Sequence, residues 1–446
     1  PGNAGRHPGD HSCRIGAARR DQQRGLCALG CAHHRHPRRV YIGVCLEPVQ
    51  TFVEQFQRDA LQRVGLARRA EIGEMKDGKA FLLQSQRHLM RPAAQPAFRP
   101  AEQKHRRVRA GAGIQALRGP LRDAVHGGWF ALAQHRDGNT GKNAYLHAFV
   151  ALAASSAVVA QRPGAQALLD DAIDIIDSCF WSEEEGAMRE SFNRDWSEEE
   201  AYRGANSNMH ATEAFLALAD VTDDKRWLNR AQRIVERVIH GHAAANDYLV
   251  IEHFDRDWQP LREYNHDNPA DGFRPYGTTP GHGFEWARLL LHLEAARVRA
   301  GMLTPGWLAT DAQKLFEHNC RHGWSIDGAP GLVYTLDWDN KAVVRHRLHW
   351  THCEASAAAS ALLKRTGDAQ YEYWYRLFWE FCDSHFIDRC DGSWHHELDP
   401  LNRPSADIWP GKPDLYHAWQ AVLIPRLPLA PSMASALAAL SQSGSV

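Results

Sequence analysis

The strongest constraint on this 446-residue chain is a recurrence. Five short aromatic or β-branched runs each end in an Asp- or Asn-rich turn. They are Gly127 to Leu132 before Asp137-Gly138, Gly186 to Phe192 before Asp195, Tyr248 to Phe254 before Asp255, Gly331 to Leu336 before Asp337, and Gly392 to Leu398 before Asp399. Each reads as a hairpin signal. They return roughly every 60 residues, with one longer gap between the third and fourth. Between them lie pairs of amphipathic helices, expected at 143–160 with 164–178, 206–220 with 225–240, 282–301 with 307–320, 350–366 with 369–387, and 414–423 with 431–441. Pro163-Gly164, Thr222-Asp223-Asp224, Pro305-Gly306 and Thr366-Gly367-Asp368 separate the partners. Regular recurrence means stacked units that bury one another's apolar faces. The expectation is an all-α (α/α)6 toroid, inner helices behind outer ones, with short β-hairpins in the connecting loops. About five of its six pairs are legible, so the first pair is incomplete or must come from residues 1–112.

Composition separates those 112 residues from the rest. They carry 21 Lys+Arg against 9 Asp+Glu, whereas the remainder carries 31 against 44. All fifteen tryptophans lie after residue 112, and four of the nine cysteines before it. With few aromatics and weak periodicity the segment has little from which to build a core. It reads either as a basic, disordered, nucleic-acid-binding tail or, the favoured reading, as GC-rich DNA translated out of frame. It is then expected to pack poorly and to leave a gap in the ring. Cys27, Cys31, His33, His34 and His36 imitate a zinc set, but no helix or hairpin pattern surrounds them. The domain boundaries are therefore 1–112, atypical, and 113–446, the barrel. A net charge of −1 gives no global reason to expect nucleic acid. No apolar run is long enough for a membrane span, no signal-peptide order opens the chain, and the cysteines lack metal-type pairing; the expected location is the cytoplasm.

Rings of helix pairs gather the starts of their inner helices around a central cavity, and polar residues collect at those starts. Gly281-His282-Gly283-Phe284-Glu285-Trp286 opens one such helix, with His282 and Glu285 on one side and glycines leaving room for an approach to His282. Asn206, His210 and Glu213 share a side of the second pair's inner helix; Trp350 and Glu354 share one in the fourth. His417, in Tyr416-His417, opens the last. The bland alternatives are capping pairs and a structural network. Three histidines (His210, His282, His417) at equivalent positions favour proton transfer, for which imidazole is suited near neutrality. An aromatic plate beside a carboxylate suits a sugar. Nucleotide loops and nucleophile elbows are absent where they would matter.

At these residues the chain resembles the N-acylglucosamine 2-epimerase superfamily, in its aldose–ketose isomerase branch. The matching text is Tyr202-Arg203-Gly204 with Asn206 to His210, Tyr264-Asn265 with Asp267 to Ala270, Thr279 to His282 with Glu285-Trp286, Tyr416-His417, and Ile424 to Pro431. The likeness is expected from about Gly113 onward. The resemblance implies an (α/α)6 barrel and isomerisation through a cis-enediol without metal or cofactor. His417 would move the proton between C1 and C2, and His282 would assist ring opening and proton transfer to oxygen. His210, Arg274, Glu285 and Glu354 would bind hydroxyls, with Trp350 and Asn206 lining the pocket. An early helix bearing a Trp and an active-site Arg is expected in the family; only Gln86 to Arg91 comes near it. The expected partner is a monosaccharide, with no nucleic acid, no membrane and an open oligomeric state. The expected reaction interconverts mannose, or a similar aldose, with fructose. The alternatives are a 2-epimerase, a sulfoquinovose isomerase, and a carbohydrate-binding protein with a defective barrel.

Overall fold

The computed structural model describes residues 113–133 and 140–442. Ten helices longer than two turns follow one another in pairs. They are α1 (Ala144–Val159) and α2 (Ala165–Ile175), α3 (Ala205–Thr222) and α4 (Arg226–Val235), and α5 (Pro280–Arg299) and α6 (Trp307–Gly323). Next come α7 (His349–Thr366) and α8 (Ala369–Phe381), then α9 (Tyr416–Leu423) and α10 (Met433–Gln442). π-helical turns at Ile176–Phe180, Glu236–Ala243 and Cys382–Phe386 extend α2, α4 and α8. The expected helices are thus all present, to within a few residues.

The first member of each pair is the inner helix. In α5 Phe284, Trp286, Leu289, Leu290, Leu291 and Leu293 are all inaccessible to solvent. In α7 Ala355, Ala357, Ala358, Ala359 and Ala361 let α5 approach closely. Outer α4 is amphipathic: Trp227, Leu228, Ala231, Ile234 and Val235 face inward, and Arg226, Arg230 and Arg233 do not. Packing runs in order, α1 on α3, α3 on α5, α5 on α7 and α7 on α9, while α10 lies against α1 and α3. Tyr416 of α9 in turn reaches Phe149 of α1, with ring centroids 5.2 Å apart.

The predicted hairpins exist in miniature. The first run shows one antiparallel bridge, Arg122 to Trp129. Each later run folds back across its acidic turn, in the bridges Phe192–Glu199, Phe254–Pro260 and Leu336–Ala342 and the strand pair Leu398–Pro404. The turn residue explains the Asp at its corner. The Oδ1 atoms of Asp255, Asp337 and Asp399 each accept the amides two and four residues on, at 2.8–3.0 Å. The same runs also pair with the strand just before the inner helix of their own repeat: Asn143 with Ser191, Gly204 with His253, Thr278 with Leu336, and Leu348 with Glu397. Sequence periodicity could not show this second pairing, which ties four inner-helix starts to one end of the fold.

Five helix pairs stand among the described residues. Residues 1–112, with the expected poor packing, the gap in the ring and the zinc-like cluster, lie outside them. No described helix is long and apolar enough to cross a membrane. The five described cysteines are unpaired.

Candidate active site

Thr279 is extended, and Pro280 begins α5, where its missing amide proton costs nothing. His282 therefore sits in the first turn, 7% exposed. Its Nδ1 donates to Glu252 Oε1 at 3.0 Å, leaving Nε2 as the free nitrogen. Glu252 comes from the run that pairs with the strand before α3, so the long-range pairing delivers it. The Trp350 ring leans on His282 at 5.0 Å and on His417 at 5.8 Å, standing between the two. The room expected beside His282 is already filled. A Cβ on Gly281 would lie 2.6 Å from the Trp350 ring, and one on Gly283 would strike the Asn319 amide. The glycines admit neighbouring side chains rather than a ligand.

His417 lies at the start of α9. Its Nδ1 is 3.1 and 3.2 Å from the two oxygens of Asp414, whose Oδ1 also accepts the His417 amide at 3.1 Å. Burial would lower the His417 pKa, but the Asp414 charge and hydrogen bond outweigh it, so His417 is held above its ordinary value.

Between the histidines is a buried ionic centre. Arg288 Nε donates to Glu354 Oε2 at 2.8 Å, Nη2 to Glu285 Oε1 at 3.3 Å, and Nη1 lies 3.6 Å from Glu213. Arg288 is one turn beyond Glu285 on α5 and 1% exposed. Burial and the neighbouring Glu354 push the Glu285 pKa well above the usual carboxylate range, against the pull of Arg288. Burial would raise Glu213 too, but His210 and Arg288 prevail and hold it at about 2. Tyr416 and Gln420 of α9 also donate to Glu213, the latter at 3.0 Å. His210 Nδ1 lies 3.7 Å from Glu285 and 3.9 Å from Glu213; burial lowers its pKa. Carboxylates and imidazoles here are close enough to suit a metal ion, with sets such as His210–Glu213–Glu285 and Glu285–Glu354–His417 within 4.8 Å. Arg288, Tyr416 and Gln420 already account for that closeness, and we assign none of these groups as a metal ligand.

The structure thus brings His210, His282, Glu285, Trp350, Glu354 and His417 together. Asn206 stands at the start of α3, and its buried Oδ1 lacks a partner among the described residues, as does Glu354 Oε1. Such atoms call for a polar ligand or water. Arg274 departs from expectation. Its terminal nitrogens hold Glu200 at 2.7 and 3.0 Å and the Tyr264 hydroxyl at 3.1 Å, and its guanidinium stacks 4.1 Å over Tyr202. Those donors are not free for a sugar hydroxyl; an opposite charge and an aromatic face have captured the cation. His282 pairs with Glu252 rather than with Glu285, its neighbour on the helix. Sequence reasoning missed Glu252, Arg288 and Asp414. A cation inside the apolar run Trp286 to Leu293 was the available signal for Arg288.

A barrel of helix pairs whose inner starts converge on two carboxylate-held histidines and a buried Arg–Glu cluster is the architecture of a sugar-converting acid/base enzyme. A family profile described as N-acylglucosamine 2-epimerase (GlcNAc 2-epimerase) matches residues 74–421. The chain belongs to this family. The match begins before Gly113, which corrects the expectation that the likeness starts there. The chain is 72% identical to a D-mannose isomerase of Pseudomonas cannabina pv. alisalensis, over 74% of this chain and 79% of that protein. It is 53% identical to a D-mannose isomerase of Thermobifida fusca, over 73% and 80%. A crystal structure of a D-mannose isomerase superposes with TM-score 0.67 at 30% identity, covering 72% of this chain and 81% of the other. The cellobiose 2-epimerase of Spirochaeta thermophila, at 21% identity and TM-score 0.61, shares the fold.

Proposed function

We propose that the protein is an aldose–ketose isomerase that interconverts mannose and fructose. The observation that carries this reading is the pair of histidines on either side of Trp350, each with its Nδ1 on a carboxylate. Both therefore present Nε2 as the working nitrogen. In the open-chain aldose, His417 takes the proton from C2. The C–H electrons form the C1–C2 double bond of a cis-enediol, and O1 gains a proton. His417 then returns its proton to C1 while the O2 proton leaves, and the ketose results. No atom is gained or lost. His282 serves the oxygen protons and ring opening. Glu285, Glu354, Asn206 and His210 offer hydroxyl contacts, and Trp350 an apolar plate. Arg274 supports the strand end that precedes α3.

The charge of the centre bears on the substrate. Among the described residues Glu213, Glu252, Glu354 and Asp414 surround the site, against Arg288. This favours a neutral C6 hydroxymethyl over a sulfonate, which needs cationic or donor partners. Incubation with mannose in deuterated water tests the reaction. Fructose carrying deuterium at C1 is expected. C2-deuterated glucose without fructose would establish a 2-epimerase instead, and tight sugar binding without turnover would establish a binding protein.

A further inference from the structure

We propose that Asp414 is a positioning residue for His417, fixing the tautomer, orientation and basicity of that imidazole from its Nδ1 side. Its kinetic readout rests on the isomerase reading above. The carboxylate is placed for this by two bonds at once. Oδ1 accepts the His417 backbone amide at 3.1 Å, which caps the start of α9, and both oxygens face the His417 Nδ1 at 3.1 and 3.2 Å. Backbone and ring of one residue are tied to one carboxylate, so the amide bond holds the carboxylate in place for the ring. A carboxylate that accepts Nδ1–H excludes the tautomer with its proton on Nε2 and leaves Nε2 to face the reacting carbons.

The neighbours leave that charge to His417. On α7, His349 is wholly buried, and its Nε2 lies 3.6 Å from Asp414 Oδ2. Neither of its ring nitrogens has a hydrogen-bond partner among the described residues. Burial drives its pKa to about 3, so His349 is neutral and does not cancel the carboxylate. His396, in the run before the last helix pair, is likewise lowered by burial. The other groups facing His417 are Glu354 on α7, Glu213 and His210 on α3, and its neighbour Tyr416. The two glutamates are held by Arg288, whereas Asp414 alone among the described residues bonds to the ring. Asp414 keeps 40% of its side-chain surface accessible. It differs there from the buried Glu252 behind His282, and it can follow small movements of the ring.

Asp414→Asn and Asp414→Ser test this. Both retain an oxygen that can cap the helix and remove the charge. With folding checked by circular dichroism melting, kcat for mannose should fall about 100-fold or more while KM stays within about threefold. The acid limb of kcat/KM should move to lower pH by about one unit, because the histidine loses the charge that favours its protonated form. The His417 imidazole, assigned by comparison with His417→Ala and followed by 1H–15N NMR without sugar, should titrate lower by a similar amount. Unchanged titration and profile would overturn the proposal. A rise in KM at constant kcat would also overturn it, by making Asp414 a sugar ligand. If both variants unfold, the wild-type spectrum still decides: neutral His417 must carry its proton on Nδ1, and an Nε2–H signal would refute the proposal. If mannose is not converted but the titration shifts, the substrate reading fails and the positioning role stands.

Discussion

The two histidine corners of the site are built alike and supported differently. His282 rides on the 20-residue α5, and its partner Glu252 is 3% exposed and delivered by a strand pair. His417 rides on the eight-residue α9, and its partner Asp414 lies beside it in the chain and remains 40% accessible. The C-terminal end of α9 is held by the Lys364 ammonium, which donates to the Ile424 and Leu427 carbonyls, the latter at 2.6 Å. One corner is part of the core; the other is a short helix tied at both ends. The difference fits a division of labour. In the proposed mechanism, the group that serves oxygen needs only a fixed place, whereas the group that carries a proton between two carbons must reach both.

The largest effect should come from removing the imidazoles themselves. His417→Gln and His282→Gln should each lower kcat by about 10²–10⁴-fold, the usual share of general acid–base catalysis. His417→Gln should also abolish solvent exchange of the C2 proton, whereas His282→Gln should retain some exchange with substrate supplied in the open-chain form. Equal loss of exchange in both variants would erase the distinction between the corners. Next, Arg288→Met should destabilise the fold by about 3–5 kcal/mol, because it strands buried carboxylates on three inner helices. A denaturant titration reads this. A Met variant as stable as the parent would show that the cluster contributes nothing net.

Glu213 links the two corners, since Arg288 and Tyr416 both contact it. Its folded pKa, about 2, lies below the ordinary carboxylate value. Its contribution is therefore complete above that ordinary value and is lost as pH falls toward 2. Between about pH 4.5 and 2 the parent should lose on the order of 3 kcal/mol more stability than Glu213→Gln. Parallel acid-unfolding curves would contradict it. The smallest effect concerns the plate between the histidines. Gly281→Ala places a methyl 2.6 Å from the Trp350 ring and 2.7 Å from Thr351 Cγ2. The expected cost is about 1–3 kcal/mol in stability, together with a kcat loss, since Trp350 must shift. An unaltered Tm and kcat would show that Trp350 has slack.

Much of this was legible in the chain. Helical periodicity of apolar residues marked all ten helices, because a helix buried on one or all sides must repeat at 3.6 residues whatever its partners. Asp255, Asp337 and Asp399 marked the turns, because an Asx side chain closes its own local hydrogen bonds. His210, His282 and His417 stood out by recurring at inner-helix starts. These are local facts, or repetitions of local facts.

What the tertiary structure alone decided is which charges meet. Helical spacing paired His282 with Glu285, yet in the fold His282 takes Glu252, thirty residues back, and Arg288 reaches Glu354 on α7. Arg274 was assigned to the substrate, and Glu200 holds it from 74 residues away. The glycines around His282 suggested space for a ligand, and Trp350 and Asn319 occupy it. Electrostatic partners are chosen by distance in a water-poor interior, where an unpaired charge is too costly to leave. That distance is set by how strands and helices remote in sequence are brought to one end of the ring, and no spacing along the chain encodes it.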